Sequence, residues 1–517
     1  MAETMSAAAM YDELLKAWKV STPLISIRTS DQQATIANCK ALLLEKDKGK
    51  QRALIQWDMV SGLAGLNDLG KAAIVKALRE ASGPDNAADV IVAADALSIA
   101  LFLPERTLLF MINAHMSLEE KATRQAIFNL RDRFKDSFRC LILLGPAFQL
   151  PDEIRPDVIP FDEPLPDRDD IVRILTGLYE STKVALPGED QMRVYADELS
   201  GLSSFAVEQV GAIALTKQGL DAKVLRRNHH ATIEQTPGLK VYTGKENFDS
   251  IGGLAAIKNY CRKLIGARKK IRVVVYLDEL EKMLGGQGDT SGVSQGLLGY
   301  LLSFMQDNEA SGLIGVGFPG TGKSLISKAL GNEAKVPTIQ FDIGGTKNSL
   351  VGSSEANMRQ ALKVIKAVGE DGIFVIASCN GIAALPPELK RRFNSGTYFF
   401  DLPTEEERDG IWKLYRSKYE TEADDPRPDD TDWTGAEIST VTRTAWNMQI
   451  PLREAAHFIV PVAVSMKEGV EKLRLEANAR YLSTSEPGFY RFGQASGSDK
   501  LADAAFGGGK RKLEIGE

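Results

Sequence analysis

The sequence lacks the residue patterns of a metal-binding, secreted or membrane protein. Its four cysteines lie far apart, without metal-type spacing or a disulfide framework, at Cys39, Cys140, Cys261 and Cys379. The histidines form no metal signature either, and the His229-His230 pair stands in a polar stretch where it is expected to be solvated. No apolar run reaches membrane-spanning length, and the N-terminus is acidic where a signal peptide is basic. These absences predict a cytoplasmic protein in a reducing compartment, with no membrane partner.

An excess of one charge sign is also missing. The chain has 63 Lys and Arg against 69 Asp and Glu, a net charge of -6. This balance does not favour nucleic-acid binding, although a local basic patch stays open. A length of 517 residues with 44% hydrophobic residues is typical of about two to four soluble domains.

One stretch carries a specific chemical pattern. Residues 313–330 read LIGVGFPGTGKSLISKAL: a short apolar strand, a glycine-rich loop and a helix. The loop satisfies the phosphate-loop pattern, in which inward-turned N–H groups and the helix N-terminus attract phosphate. Lys323 is expected to reach the β- and γ-phosphates and Ser324 to ligate Mg²⁺. The predicted nucleotide-binding residues are Gly317, Phe318, Pro319, Gly320, Thr321, Gly322, Lys323, Ser324 and Leu325.

A second apolar run ends in two carboxylates. Val273 to Leu277 is followed by Asp278 and Glu279, as in a Walker B strand. Asp278 is then expected to bind Mg²⁺, and Glu279 is expected to polarise the attacking water. The alternative is that this Asp-Glu pair begins a solvated helix. A phosphate loop in the same half favours the catalytic interpretation.

Two further features lie beyond the phosphate loop. The buried run 373–377 ends in Ser-Cys-Asn, so Asn380 can sit between the phosphates and water as a sensor. The segment LPPELKRRF then places Arg391 and Arg392 after two prolines. Either arginine can act as a finger that reaches the γ-phosphate of a neighbouring subunit. The alternative is an exposed basic turn.

The sequence pattern of the N-terminal half predicts a parallel α/β sheet, and its candidate catalytic motifs are incomplete. Apolar runs at 24–27, 53–57, 90–94, 107–112 and 140–145 alternate with helical stretches, and helices dominate from 166 to about 223. The loop from Gly65 to Ala72 lacks the hydroxyl residue that ligates Mg²⁺, so a plain turn and helix start is favoured. The run 107–112 ends in Asn113 instead of an acidic pair. We therefore expect a non-catalytic module for assembly or partner binding.

The C-terminal half resembles the AAA (AAA+) ATPase family over about residues 248–481. The resemblance rests on IGGL at 251, the GFPGTGKS loop, VGSSEANMR at 351, IASCN at 376 and TGAEI at 434. It implies that Ile251 and Gly252 flank the adenine and that Gly435 and Ala436 face the nucleotide from a lid. The chain resembles in particular the plastid, cyanobacterial and phage branch, whose members carry a degenerate AAA-like N-terminal half.

The chain departs from the family pattern in two places. Walker B normally follows the phosphate loop, whereas Asp278-Glu279 precede Gly317. The same strands can still fill the family's sheet order of 5-1-4-3-2 with altered connections, so our hypothesis is that Asp278 still meets Ser324. In addition, Leu350 stands where relatives that thread polypeptides carry an aromatic residue. This second departure weakens the prediction of an aromatic pore loop.

These observations give a fold class and a domain plan. We predict an α/β protein with a parallel-sheet P-loop NTPase (AAA) domain and helical lid, preceded by a degenerate AAA-like α/β domain with its own helical subdomain. The predicted boundaries are 1–165 for the degenerate domain, 166–227 for its helical subdomain, 228–247 for a linker, 248–402 for the ATPase large domain, 403–485 for the lid and 486–517 for a tail.

The expected function is ATP hydrolysis to ADP and phosphate with ATP and Mg²⁺ as cofactors. The resemblance implies a ring of identical subunits, with six as the number expected from the family, that remodels a protein or other macromolecular client. Two alternatives stay open. One is an assembly scaffold that binds ATP with little turnover, and the other is a nucleic-acid motor or loader.

Overall fold

A computed structural model describes residues 7–46, 52–81, 86–283, 293–346, 353–381, 387–421, 425–465 and 467–493. The chain divides into two compact units, 1–232 and 233–517. Leu350 lies outside the described residues. Within the described ranges, no helix has the length and apolar character needed to cross a membrane.

The first unit is built on a mainly parallel sheet covered by helices. Its strands are β1 (Leu24–Arg28), β2 (Leu54–Asp58), β3 (Gly62–Gly65), β4 (Leu108–Met111), β5 (Cys140–Gly145), β6 (Ile159–Asp162), β7 (Leu215–Thr216) and β8 (Gly219–Leu220). Its helices are α1 (Ala7–Lys19), α2 (Gln32–Lys46), α3 (Asp68–Glu80), α4 (Ala93–Ala100), α5 (Ala114–Ser117), α6 (Lys121–Asp136), α7 (Arg168–Thr182), α8 (Glu189–Glu198), α9 (Ser204–Ala214) and α10 (Ala222–Ile233).

The sheet order of the first unit is β6-β1-β5-β4-β2-β3, with only the β2–β3 pair antiparallel among the described strands. Its buried apolar residues form one cluster on each face, as expected when helices cover both sides of a parallel sheet. If β3 is left out and the other five strands are numbered along the chain, the order from β6 to β2 is 5-1-4-3-2.

Two expectations for the first unit are wrong. The apolar run 90–94 is not a strand: Val90 follows a short 3₁₀ helix, and α4 starts at Ala93. Val90 and Ala93 are buried, whereas Ile91 and Val92 are each 48% exposed before the helix begins. An apolar run of five residues does not distinguish a strand from a helix start. His229 is not solvated, since it is only 5% exposed. Its Nε2 lies 2.9 Å from the carbonyl oxygen of Ser200. Burial lowers the pKa of His229 to about 4.

The second unit contains a larger sheet and a helical lid. Its strands are β9 (Leu239–Tyr242), β10 (Val273–Leu277), β11 (Ser311–Gly317), β12 (Thr338–Phe341), β13 (Ile373–Cys379), β14 (Thr397–Phe400) and β15 (Leu482–Ser483). Its helices are α11 (Ala255–Ile265), α12 (Leu280–Met283), α13 (Val293–Asp307), α14 (Lys323–Ala334), α15 (Ser353–Gly369), α16 (Pro387–Arg392), α17 (Glu405–Tyr419), α18 (Gly435–Met448), α19 (Leu452–Ala455), α20 (Val462–Ser465) and α21 (Lys467–Ala477).

The larger sheet has the order β15-β14-β11-β13-β10-β12-β9, parallel throughout except for the β12–β9 pair. From β14 to β12, five strands occupy the positions 5-1-4-3-2 of the family's sheet order. β10, which occupies position 3, comes first of these five strands along the chain. The chain therefore reaches β11 from β10 through α13, and it reaches β13 from β12 through α15. The transposed segment fills the usual place of a Walker B strand by these altered connections.

The segment predicted as linker contains regular structure, and the described start of the predicted tail is packed against the larger sheet, directly after β15 at the end of the predicted lid. The end of α10 and all of β9 fall within 228–247, and β9 pairs with β12 at the edge of the second sheet. At the other end, residues 482–493 pack back on the large domain. β15 pairs with β14, and the Tyr490 ring lies 4.5 Å from the Phe399 ring.

The lid has its own small core. Trp412 of α17 is fully buried there, and its Nε1 donates a hydrogen bond of 2.6 Å to Oδ2 of Asp430. Helices α17 and α18 both begin with capping boxes, on Thr404 and Thr434, in which the threonine and a glutamate three residues later satisfy each other's backbone N–H groups. These caps fix where the lid helices start.

Candidate functional site

The loop between β11 and α14 has the backbone conformation of a phosphate loop. Gly317, Gly320 and Gly322 all have positive φ, at 155°, 80° and 96°. A Cβ at Gly317 would lie 2.1 Å from the carbonyl oxygen of Phe400, so that position requires glycine. Gly322 is the residue before α14, whose N-terminus therefore opens into the loop. The loop can surround an anion with backbone N–H groups.

Lys323, the first residue of α14, turns its amine back over this loop. Nζ donates hydrogen bonds to the carbonyl oxygens of Gly317 and Phe318, the latter at 2.8 Å, and to Oδ1 of Asn380 at 3.2 Å. Burial lowers the pKa of the Lys323 amine to about 8, although the carboxylates of Glu281 and Asp278 act in the opposite direction. The ammonium group is thus close to its titration range near neutral pH.

The acidic pair follows β10 at the same edge of the sheet. β10 and β13 are neighbours in register, with Leu277 opposite Ala377, so Asp278 comes to lie beside Ser378. Oγ of Ser378 donates to Oδ1 of Asp278 at 2.6 Å, and the N–H of Glu279 donates to that Oγ at 2.9 Å. Glu279 has a φ of 48°, a rare conformation for a residue with a side chain.

Asn380 stands at the tip of β13, where the sequence predicts a sensor. Its side chain contacts Lys323, and its N–H donates to Oε1 of Glu281 at 3.0 Å. Glu281 thereby ties the segment after β10 to the tip of β13. Burial raises the pKa of the neighbouring Cys379 thiol to about 12, so this cysteine is a packing residue rather than a reactive thiol.

The large domain and the lid enclose a cleft of about 550 Å³ beside the phosphate loop. Its volume is in the range of small-molecule sites. The predicted residues that line it are Ile251, Gly252, Asp278, Glu279, Pro319, Gly320, Thr321, Gly322, Lys323, Ser324, Leu325, Asn380, Gly435 and Ala436. The lid touches the loop directly, because the N–H of Ala436 donates to the carbonyl oxygen of Gly320.

Four predicted residues are not among those that line the cleft. Gly317 lies under the loop, and Phe318 is buried with its ring 6.0 Å from that of Phe399. Arg391 and Arg392 end α16. Arg392 donates to Oε1 of Gln306 within the subunit. Arg391 is exposed and has no hydrogen bond or ion pair with the residues that the structure describes.

Sequence reasoning missed several residues of the cleft, namely Tyr276, Ser378, Glu407, Ile411, Tyr415, Ser439, Thr440 and Arg443. It also missed Glu281, which contacts Asn380. A signal existed for Tyr276 and Ser378, because they are hydroxyl residues in strands that are otherwise apolar. Glu407 is the capping-box glutamate of α17, and its Oε1 also accepts the N–H of Leu254 at 2.9 Å.

The chemistry of these groups suits a magnesium nucleotide. Mg²⁺ commonly binds through one or two carboxylates, a hydroxyl and phosphate oxygens, and Asp278 and Ser324 line the cleft together. Tyr276 connects them: its hydroxyl interacts with the side chains of both residues. The described residues contain no group of three or more His, Cys, Asp or Glu that could hold a metal.

The corresponding place in the first unit cannot hold a phosphate in the same way. Three residues separate β1 from α2, against five between β11 and α14, and the loop contains no glycine. Oδ1 of Asp31 accepts the N–H of Ala34 at the start of α2, so a carboxylate already occupies that helix end. At Gly70, a Cβ would lie 2.1 Å from the carbonyl oxygen of Leu54, which explains this glycine by packing.

Comparison with family models gives two matches. Residues 10–162 match the model described as the N-terminal domain of SpoVK-like AAA ATPases, and residues 313–376 match the ATPase family associated with various cellular activities (AAA). The second match begins at β11 and ends in β13. The transposed β10 therefore lies outside the matched segment.

Three similar proteins are each named uncharacterized AAA domain-containing protein ycf46. The protein from Guillardia theta is 24% identical over 526 aligned residues, which cover 89% of this chain and 93% of the relative. That from Gracilaria tenuistipitata var. liui is 24% identical over 370 residues, covering 62% and 68%. That from Trieres chinensis is 23% identical over 454 residues, covering 79% and 81%. The predicted resemblance is confirmed.

Proposed function

We propose that this chain, which matches the models of a SpoVK-like AAA N-terminal domain and of the AAA ATPase family, hydrolyses ATP to remodel a macromolecular client. One observation carries the proposal. Lys323, Ser324, Asp278 and Asn380 line a single cleft although the acidic pair precedes the phosphate loop in the chain. The rearranged connections thus bring together the groups that phosphoryl transfer requires.

Each residue has a role that follows from its position. The loop N–H groups and Lys323 hold the phosphates, and Ser324 and Asp278 would hold Mg²⁺. When bound, Mg²⁺ neutralises charge on the phosphate oxygens. Glu279 accepts the proton of the attacking water, and Asn380 orients that water next to Lys323. Ile251 and Gly252 on one side and Gly435 and Ala436 on the other enclose the base.

Turnover in this proposal depends on a second copy of the chain. A positive side chain that reaches the γ-phosphate from outside stabilises the charge of the transition state. Arg391 fits this role better than Arg392, because Arg392 is bound to Gln306. We therefore propose a ring of identical subunits, with six as the expected number, in which each Arg391 completes the next site.

The test is ATPase activity measured as a function of protein concentration. Specific activity should rise with concentration, and Glu279→Gln should lower it at least about 100-fold while ATP still binds. Glu309→Gln is the matched control, since the Glu309 side chain is 90% exposed outside the cleft. A low rate that is independent of concentration would instead support an ATP-dependent scaffold. Strong stimulation by DNA or RNA would support a nucleic-acid motor.

Trapping the client uses the same variant. Glu279→Gln held in ATP should retain a macromolecule that the wild-type protein releases on hydrolysis. Capture in ATP but not in ADP is expected for a remodelling ATPase. Equal capture in both nucleotides would contradict a role for hydrolysis in client release.

A further inference from the structure

Two hydroxyl groups converge on one oxygen of Asp278. The hydroxyl of Tyr276 donates to Oδ1 at 2.7 Å, and Oγ of Ser378 donates to the same Oδ1 at 2.6 Å. Within the described part of the chain, no donor contacts Oδ2. The two carboxylate oxygens therefore have different environments: Oδ1 is held by the protein, and Oδ2 is left open.

Tyr276 is an unusual residue for its place. It belongs to β10, whose residues are all buried, and it is itself 3% exposed. A buried tyrosine hydroxyl needs a partner, and the partners of this one are groups of the cleft. Its phenolic O–H is a hydrogen-bond donor, and it points to Oδ1 of Asp278. The hydroxyl also interacts with the side chain of Ser324.

Ser378 joins both halves of the acidic pair. It lies on β13 beside the end of β10 and is 2% exposed. While its hydroxyl donates to Asp278, its oxygen accepts the N–H of Glu279 at 2.9 Å. This contact holds the backbone of Glu279 in its positive-φ conformation. One side chain thus fixes the direction of the metal-binding carboxylate and the start of the segment that carries the base.

We propose that Tyr276 and Ser378 are positioning residues for the metal site, which hold Oδ1 of Asp278 so that Oδ2 faces the Mg²⁺ shell beside Ser324. This inference rests on the proposed function, because it assumes a magnesium nucleotide in the cleft. It adds to that function an outer shell of two hydroxyls that neither the phosphate loop nor the acidic pair supplies. Outer-shell hydrogen bonds of this kind orient metal ligands and set metal affinity.

The test separates metal binding from nucleotide binding and from turnover. Mn²⁺ is titrated into the full-length protein with a non-hydrolysable ATP analogue, and free Mn²⁺ is read by electron paramagnetic resonance. Affinity for the analogue is measured separately in EDTA by fluorescence. Tyr276→Phe and Ser378→Ala should each weaken Mn²⁺ binding roughly tenfold and leave the affinity in EDTA within about twofold. Ser378→Ala should also slow turnover, because Glu279 loses its backbone contact.

Two controls distinguish positioning from general damage. Tyr398→Phe removes a tyrosine hydroxyl from β14 of the same sheet, away from Asp278, and should leave Mn²⁺ affinity unchanged. In an Asp278→Asn background, Tyr276→Phe should produce no additional loss of Mn²⁺ affinity. If Ser378→Ala does not fold, Tyr276→Phe still decides the question, since it keeps the buried ring.

The outcomes are distinct. Unchanged Mn²⁺ affinity in folded Tyr276→Phe, or an equal loss of analogue affinity in EDTA, would overturn the positioning role. A wild-type protein that binds the analogue and Mn²⁺ without turnover would contradict the proposed hydrolysis, while the Mn²⁺ affinities would still decide on the positioning role. A wild-type protein that binds no nucleotide would overturn both.

Discussion

Nζ of Lys323 lies 3.2 Å from Oδ1 of Asn380, which joins the phosphate loop to the tip of the sensor strand. The same amine donates to the carbonyl oxygens of Gly317 and Phe318. These hydrogen bonds of Lys323 therefore lie where the γ-phosphate is expected to bind. An incoming nucleotide must replace these contacts with phosphate oxygens, which are stronger acceptors for an ammonium group.

The state of Lys323 makes nucleotide affinity depend on pH. Burial lowers the pKa of the amine to about 8 in the protein without nucleotide. Phosphate favours the charged amine, so binding above this pH requires the uptake of a proton. The dissociation constant of ATP should then rise roughly tenfold between pH 7 and pH 9. Fluorescence titration with a labelled ATP at several pH values checks this.

A permanent charge at the same place provides the control. Lys323→Arg should bind ATP more weakly overall, because the guanidinium does not fit the amine's position, but its affinity should vary little over that pH range. Folding stability should depend on pH in the opposite direction to ATP affinity. A lysine with a lowered pKa in the folded state gains folding stability as pH rises from about 8 towards its unfolded value. A wild-type affinity that is flat with pH would contradict this assignment.

The two arginines of α16 should differ in their effect on turnover. Arg391→Ala should lower kcat at least about 100-fold with little change in ATP affinity, since a finger acts mainly on the transition state. Arg392→Ala should cost less than about tenfold, because Arg392 is bound to Gln306 in its own subunit. Steady-state kinetics of both variants gives the comparison.

Subunit mixing tests whether Arg391 acts across an interface. Arg391→Ala keeps its own acidic pair, and Glu279→Gln keeps its own Arg391. If the finger comes from a neighbour, mixed assemblies contain some sites with both groups, so a mixture should regain activity that neither variant has alone. No recovery in mixtures shown to co-assemble would assign the arginine to its own subunit's site.

The sequence predicted the strand order of the larger sheet and its altered connections. The phosphate loop and the acidic pair each follow a buried strand, and parallel strands present their carboxyl ends at one edge. This was enough to expect Asp278 near Ser324 despite the reversed order. In position 3, β10 lies next to β13, which separates it from β11, and the carboxyl ends of all three strands lie at the same edge.

The features that were missed depend on tertiary contacts. The run 90–94 is apolar in any conformation, but in the fold only Val90 and Ala93 are buried, and α4 begins at Ala93. Tyr276 and Ser378 are separated by about 100 residues, and only the β10–β13 register brings their hydroxyls to one oxygen. The sequence assigns residues 482–485 to the lid and 486–493 to the tail, but pairing of β15 with β14 joins 482–483 to the larger sheet.

Each chain should bind a single nucleotide. In the first unit Asp31 caps α2 and the loop from β1 is short and lacks glycine, so neither charge nor shape favours phosphate there. Isothermal titration of the full chain should give a stoichiometry of about one. Lys323→Ala should abolish that binding, while Lys71→Ala should not affect it. Residual stoichiometric binding in Lys323→Ala would reveal a second site and contradict the degenerate assignment.

The connection between large domain and lid depends on Asp401. Its Oδ1 accepts Nε of Arg474 at 2.8 Å, and its Oδ2 accepts the hydroxyl of Tyr490 at 2.6 Å. Asp401→Asn leaves the half-buried Arg474 without its charged partner, which should cost about 2 kcal/mol. Amide exchange at 397–403 and 478–492 should accelerate roughly 30-fold, the equivalent of that energy. Asp409→Asn, which breaks a more exposed pair with Arg427, should change exchange less than about threefold. Equal exchange in the two variants would show that the 482–493 segment is held by β15 pairing alone.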